Sequence, residues 1–224
     1  MIPWELLDHV PVPDDGDELL LYRRGEEYSI RVNQTELMNS RSHGSEEALG
    51  ELACGRLTEC PSPRILIGGL GMGFTTTATL KNIGPSGVVI VAELVHGVVT
   101  WNQELLGHLA EYPLRDERVS VRVADVAHVM EEERGGFDAI LLDVDNGPRG
   151  LSYKTNHRLY TRDGLKTTFA ALRPAGVLAV WSATSDPEFS HRLRRSGFAV
   201  EEVRVRARGR SGGHHTIWLA TRRT

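Results

Sequence analysis

Cysteine is nearly missing from this sequence: Cys54 and Cys60 are the two among 224 residues. Standing six apart, they make neither a CxxC motif nor a disulfide framework, which removes thiol-redox pairs and disulfide scaffolds from consideration. Free thiols in a reducing compartment are the expectation. Long apolar runs are missing too. None approaches the ~20 residues a membrane helix requires, so no membrane partner is expected. Residues 1–17 are acidic and contain proline, without a basic stretch followed by an apolar one. No signal peptide is expected there, and the chain reads as cytoplasmic. An excess of positive charge is also lacking. The formal net charge is -4, whereas a dedicated nucleic-acid binder is usually basic, so no nucleic acid is expected as a partner. Basic residues outnumber acidic ones between residues 192 and 210, which reads as solvated arginines on an edge strand rather than a patch for an anionic partner. His214-His215 has no third ligand nearby in sequence, and structural zinc takes four, so no metal site is expected.

What is present suits one globular domain with a small appendage: 40% of the residues are hydrophobic, ample for a buried core. Leu19-Leu20-Leu21-Tyr22, a charged turn at Gly25, and Tyr28-Ser29-Ile30-Arg31-Val32 predict a β-hairpin within residues 18–38. A polar segment follows, then a helix over 46–59, with Ser45 as its N-cap and acidic residues in its first turn. Pro61 and Pro63 end it. The division expected is an N-terminal hairpin-and-helix unit over 1–60 and a main domain over 61–224.

From Arg64 the pattern changes. Short apolar runs at 64–68, 88–93, 119–123, 137–143 and 176–181 alternate with helical stretches at 74–82, 95–109, 126–133 and 157–172. Continuous apolar strands separated by helices predict a parallel sheet covered on both faces. A helix over 187–196 then leads to strands at 200–207 and 215–221, joined by a Gly-rich turn, which must run antiparallel. This α/β layout is similar to the Rossmann-like S-adenosylmethionine methyltransferase fold: a mostly parallel seven-stranded sheet with a C-terminal antiparallel hairpin, here preceded by a small N-terminal β-hairpin.

The first apolar run passes directly into Gly68-Gly69-Leu70-Gly71-Met72-Gly73. Glycines there permit positive φ and close ligand approach, and the following helix offers free N–H groups and a partial positive charge. Glu93, beside Leu94, closes the second run, where a carboxylate accepts both ribose hydroxyls of a nucleotide. The same pair of features serves NAD; the terminal hairpin and the next two acidic positions favour the methyltransferase branch. Asp125, followed by Val126, ends the third run and can meet an adenine amino group, cap the next helix, or do both. The fourth run ends Asp143-Val144-Asp145-Asn146-Gly147-Pro148. Carboxylates at that tip overlie the crevice where open α/β sheets bind ligands. Asp143 follows apolar residues, so desolvation raises its proton affinity toward that of a general base. His43 lies in a polar loop placed to fold over the crevice. Trp101 reads as core or as an edge of the adenine pocket, and Tyr153, Tyr160 and Trp181 as candidate walls of an acceptor pocket.

Residues 64–73, Val91-Ala92-Glu93-Leu94-Val95 with Val98-Val99, Asp116-Glu117-Arg118-Val119 leading to Asp125, 137–146, Leu159-Tyr160-Thr161 and 172–178 together resemble the spermidine synthase (aminopropyltransferase) family. The N-terminal hairpin fits that family as well. The resemblance implies that Gly68, Gly69, Gly71, Gly73, Glu93, Leu94, Asp125, Val126 and Asp143 surround S-adenosylmethionine or its decarboxylated form. It implies that Asp143 takes a proton from the attacking amine, and that Asp145, Asn146, Tyr160 and His43 face a small-molecule acceptor. It also suggests a homodimer. Two departures bear on the substrate. The family has an aspartate where this chain has Gly71, and a second acidic residue where this chain has Asn146. A carboxylate at position 71 would repel the carboxylate of intact S-adenosylmethionine. The sequence alone therefore favours methyl transfer from the intact cofactor to a small acceptor, with aminopropyl transfer from the decarboxylated cofactor as the alternative and a non-catalytic binding protein as the third reading.

Overall fold

The computed structural model describes residues 2–13, 16–33, 35–144, 147–148, 156–208 and 211–223. Four N-terminal strands, β1 (Glu5–Pro11), β2 (Glu18–Arg24), β3 (Glu27–Val32) and β4 (Thr35–Asn39), form an antiparallel sheet in chain order. The predicted hairpin is its middle pair, with Leu21 opposite Ile30. The outer strands escape the sequence pattern for a physical reason. β1 alternates too weakly, being mostly exposed, and β4 is a five-residue edge strand.

Helix α1 spans Gly44–Cys54, shorter than predicted and starting earlier. His43, not Ser45, is its N-cap residue, without a side-chain cap bond, and Ser45 is instead fully buried inside the first turn. After Cys54 the chain tightens into turns, with Arg56 N–H bonded to Ala53 O and Leu57 N–H to Cys54 O, so the helix stops well before the prolines. Cys54 is buried and its thiol is pushed up to about 12 by desolvation, which keeps it in the unreactive thiol form.

The remaining strands are β5 (Arg64–Gly68), β6 (Val88–Glu93), β7 (Val119–Val123), β8 (Phe137–Leu142), β9 (Leu172–Ser182), β10 (Phe198–Arg208) and β11 (Ser211–Arg222). They form one sheet in the order β7-β6-β5-β8-β9-β11-β10. β5 to β9 are parallel, while β11 runs antiparallel to both its neighbours. Helices α2 (Phe74–Lys81), α3 (His96–Glu104), α4 (Val126–Glu132), α5 (Arg162–Ala171) and α6 (Pro187–Arg195) intervene. β9 begins four residues earlier than predicted. Its first turn of chain, with Ala175 at φ 62, joins the sheet through a register shift against β8.

Side-chain alternation explains why the central strands are apolar throughout. Ile65, Ile67, Val89, Val91, Ala139, Leu141, Ala179 and Leu219 face one core, with α1, Phe74 of α2, Trp101 of α3, and Leu21 and Ile30 of the N-terminal sheet. Leu66, Ile90, Ile140, Leu142, Leu178 and Trp218 face the other, with Met130 of α4, Leu165 of α5 and Phe189 of α6. Both faces are covered, so the middle of each central strand is apolar. Truncating one of these side chains costs about 2–5 kcal/mol. The N-terminal sheet shares the first core rather than standing apart from it. Trp101 belongs to that join: it is buried, and its indole N–H donates to Asp8 Oδ2 on β1 at 2.7 Å.

The edge strand β10 carries Arg204, Arg206 and Arg208 on exposed positions, as the basic segment predicted. No helix among the described residues is long and apolar enough to cross a membrane.

Candidate active site at the carboxyl ends of the parallel strands

The chain leaves β5 for β6 on one side, while β8 lies on the other. That reversal opens a crevice above the strands' carboxyl ends. A cavity of about 160 Å³ fills it. Gly69, Gly71, Glu93, Leu94, Asp125, Val126 and Asp143 all line this cavity, so seven of the predicted residues meet in one place. Gly68 and Gly73, also predicted, do not line it. The N-terminal sheet covers the cavity with Val12, Leu19, Ile30, Leu37 and Met38.

The glycine turn is held from both sides. Gly69 sits at φ 89, and a Cβ there would stand 2.3 Å from the carbonyl oxygen of Asp143, so the turn after β5 and the tip of β8 touch through backbone alone. Gly71 also has positive φ, 53. A Cβ there would lie 2.9 Å from Met38 Sδ. The space that the sequence leaves open at Gly71 is thus taken by a thioether from β4, an apolar group where the resemblance led one to expect a carboxylate.

Glu93 is buried, and both its oxygens accept backbone N–H groups at 2.9 Å, Leu70 to Oε2 and Val95 to Oε1. Burial pushes its carboxyl up, against the opposing pull of those bonds. It therefore braces the glycine turn while presenting its remaining lone pairs to the cavity. Asp125 caps α4, accepting from Ala127 N–H at 2.7 Å, and its second oxygen pairs with Arg158. The capping and cavity-lining positions predicted for it coexist.

Asp143 accepts from Thr75 Oγ1 at 2.6 Å. It is half-buried, with part of its surface facing the cavity. Desolvation raises its carboxyl to about 6, opposed by the Thr75 bond. Its neighbour in the cavity wall is Glu46, from the first turn of α1, raised to about 7 by desolvation first and by the Asp143 charge second. Ser45 Oγ donates to Glu46 Oε2 at 2.5 Å. Glu46 escapes prediction because an acidic residue in a helix's first turn is ordinary. The available signal is its spacing: Glu46, Leu49, Gly50 and Ala53 form one buried stripe.

This pair has a measurable consequence. Unfolded, each carboxyl titrates near pH 4; folded, both hold protons to higher pH. Between those limits the native state binds more protons, so stability falls as pH rises from about 4 through about 7. Each tenfold of proton affinity is worth about 1.4 kcal/mol. The unliganded chain is expected to melt a few degrees lower at pH 8 than at pH 5.5, and Glu46→Gln to lessen that slope, the remainder coming from Asp143 and Glu93, which burial also raises. Equal slopes in both proteins, measured by thermal melts, would dissolve the pair. The salt-bridged carboxylates Asp116 and Glu133, both held low by arginine hydrogen bonds, act in the opposite sense only at more acid pH.

Trp181 also lines the cavity, and its buried indole N–H has no hydrogen-bond partner among the described residues. Two predicted acceptor-side residues lie elsewhere. His43 stacks on Phe74 at 4.2 Å and pairs with Glu47 at 3.0 Å, away from the cavity wall. Tyr160 packs edge-on against Phe189 in the opposite core, because its 3₁₀ turn faces α6 rather than the crevice. Asp145, Asn146 and Tyr153 lie outside the described residues.

Neither a protein-family model nor a curated protein matches this sequence. Solved structures do. Spermidine synthase from Thermotoga maritima superposes with a TM-score of 0.76 at 17% identity, over 96% of this chain and 72% of that one. The fold is that of the spermidine synthases. A spermidine synthase solved with the transition-state analogue AdoDATO gives 0.75 at 16% identity, over 96% and 72% of the two chains. A probable spermidine synthase from Corynebacterium glutamicum ATCC 13032 gives 0.67 at 15%, over 97% and 79%. The likeness spans the N-terminal sheet as well as the parallel domain, so the four-stranded cover belongs to this fold.

Proposed function

We propose that the chain is a transferase that takes an aminopropyl group from decarboxylated S-adenosylmethionine and gives it to an amine. The observation that carries this reading is the carboxyl pair on the wall of the cavity that also holds the glycine turn and Glu93, Glu46 buried and Asp143 half-buried. Two carboxylates with so little access to water are costly unless a cation compensates them. An ammonium group supplies that compensation and three donors; a neutral methyl acceptor leaves the pair uncompensated. Glu93 and the turn would hold the ribose, Asp125 and Val126 the adenine edge, and Asp143 would accept a proton from the amine. Sulfonium is a good leaving group, so positioning the amine is most of the task.

Methyl transfer from intact S-adenosylmethionine is a second reading, favoured by Gly71 and Met38, which put no negative charge beside the donor's tail. Calorimetry with the two donors separates them. Tighter binding of the decarboxylated form by tenfold or more, with turnover of a diamine, is the expected result. Preference for the intact form would sink aminopropyl transfer, and binding of neither would return the chain to a non-catalytic role.

A further inference from the structure

A line of hydrogen-bonded groups runs from the cavity toward the outside of the sheet. Ser45 Oγ donates to Glu46 Oε2 at 2.5 Å and lies 2.8 Å from His215 Nδ1 on β11. Ser45 is fully buried, whereas His215 is half-buried. The imidazole is fixed edge-on against Trp181 of the cavity wall, centroids 4.8 Å apart. At the inner end Thr75 Oγ1 donates to Asp143 Oδ2 at 2.6 Å and lies 3.3 Å from the backbone carbonyl oxygen of Glu46, not from its carboxyl. By swivelling, that hydroxyl satisfies Asp143 whether or not it is protonated.

We propose that Glu46, Ser45 and His215 form the outlet by which the proton released at Asp143 leaves the cavity. The proposal rests on the amine-acceptor reading above. An ammonium acceptor yields one proton to the Asp143 carboxylate. Its freed lone pair forms the C–N bond as the carbon–sulfur bond breaks, and that bond's electrons leave with sulfur as a neutral thioether. The product amine remains cationic, so one proton per turnover stays on Asp143, and the scheme requires it to pass from there to the Glu46 carboxylate across the cavity that both side chains line. Protonated Glu46 passes it to Ser45 Oγ while Ser45 passes its own proton to His215 Nδ1. The imidazolium releases its Nε2 proton to solvent, and the hydroxyl and ring then reset. His215 and Ser45 touch no substrate in this scheme; they are positioning residues for proton movement.

The charges acting on Glu46 are Asp143 from β8 and Glu47 on its own helix, the latter paired with His43. Across the strand pair, His215 faces Val205, and its neighbour His214 faces Arg206. Burial holds the His215 imidazole below its ordinary value, so it stays neutral at physiological pH.

The scheme makes the tautomer of His215 depend on Glu46. Protonated Glu46 donates to Ser45, which then donates to a bare Nδ1, leaving the proton on Nε2. Ionised Glu46 accepts from Ser45, which then accepts from Nδ1–H. Nitrogen-15 NMR of the unliganded full chain between pH 5.5 and 8.5 should show His215 moving from the Nε2–H to the Nδ1–H form as pH rises. Glu46→Gln and Ser45→Ala should each abolish the change. A tautomer that ignores pH in the parent, or still switches in Glu46→Gln, overturns the proposal. Kinetically, His215→Gln keeps a hydrogen bond to Ser45 but cannot carry a proton. Its kcat with decarboxylated S-adenosylmethionine and a diamine should fall about 10- to 100-fold with KM nearly unchanged, and added imidazole should restore it. A kcat within twofold of the parent also overturns the outlet. If the parent itself turns over no amine, the functional reading falls, and the NMR titration alone decides the proton path.

Discussion

Asp143→Asn is expected to lower turnover by about 10²–10⁴-fold, the range of a positioned proton acceptor, while the donor's dissociation constant stays within a few-fold. Asparagine keeps the volume of the side chain, and its Oδ1 still accepts from Thr75 Oγ1, so the wall of the cavity survives. What disappears is a basic lone pair beside the acceptor. In the proposed reading the donor is held by groups that the substitution leaves alone: Gly69, Glu93, Asp125 and the backbone around them, all on the cavity wall. The same change also removes one of two mutually repelling charges at the cavity wall, which lets Glu46 ionise at lower pH. The variant should therefore melt at or above the parent's temperature at pH 8. Stopped-flow or steady-state turnover, calorimetry with the donor, and a melt at pH 8 test the three parts together. Near-normal turnover would remove Asp143 from the chemistry. Lost donor binding with a lowered melting temperature would mean that the side chain is a structural support instead.

The parallel half of the fold was legible because its central strands are apolar on both faces, and β5, β6, β7 and β8 each end at or just before a glycine or a carboxylate that has no place inside a sheet. Glu93, Asp125 and Asp143 stand out for that reason, and the structure brings all three to the cavity. The acceptor side was harder to read. Of its walls Trp181 was named from the sequence, but Met38 on a short edge strand and Glu46 in a helix's first turn carry only ordinary local signals. Two other candidates chosen by residue type, His43 and Tyr160, pack on Phe74 and Phe189 instead. Residue type cannot tell which side of a helix or turn faces a crevice. Spacing can, and Glu46 on the stripe of Leu49, Gly50 and Ala53 shows how: a carboxylate on an otherwise apolar stripe is either an error of register or a site. Gly71 teaches the converse. The sequence shows only that a carboxylate is missing there; that Met38 packs against the position depends on the strand pairing of β3 and β4.

Glu93→Ala should be the most damaging single change to the donor side, because one carboxylate serves both the fold and the proposed ribose contact. Its two oxygens are the partners of the Leu70 and Val95 N–H groups. Alanine orphans both, and each buried unsatisfied donor costs about 1–3 kcal/mol. At roughly 2–4 °C per kcal/mol for a chain of this size, a fall of the order of 10 °C in melting temperature follows. Hydrogen bonds from ribose hydroxyls to a carboxylate contribute about 1.5–3 kcal/mol each, so losing them together weakens the donor by 100-fold or more. Glu93→Gln divides the two roles. Its oxygen still accepts one backbone N–H, but its amide then points a donor at the other, so the expected melting temperature lies between those of parent and alanine variant. Its donor affinity should fall nearly as far as that of the alanine variant, since an amide cannot accept from both hydroxyls while an oxygen is already engaged. The decisive comparison is therefore affinity against stability across the three proteins. Affinity that falls only in step with melting temperature makes Glu93 a brace for the glycine turn. A glutamine variant that is nearly as stable as the parent, yet binds the donor poorly, shows the carboxylate acting on the ligand itself.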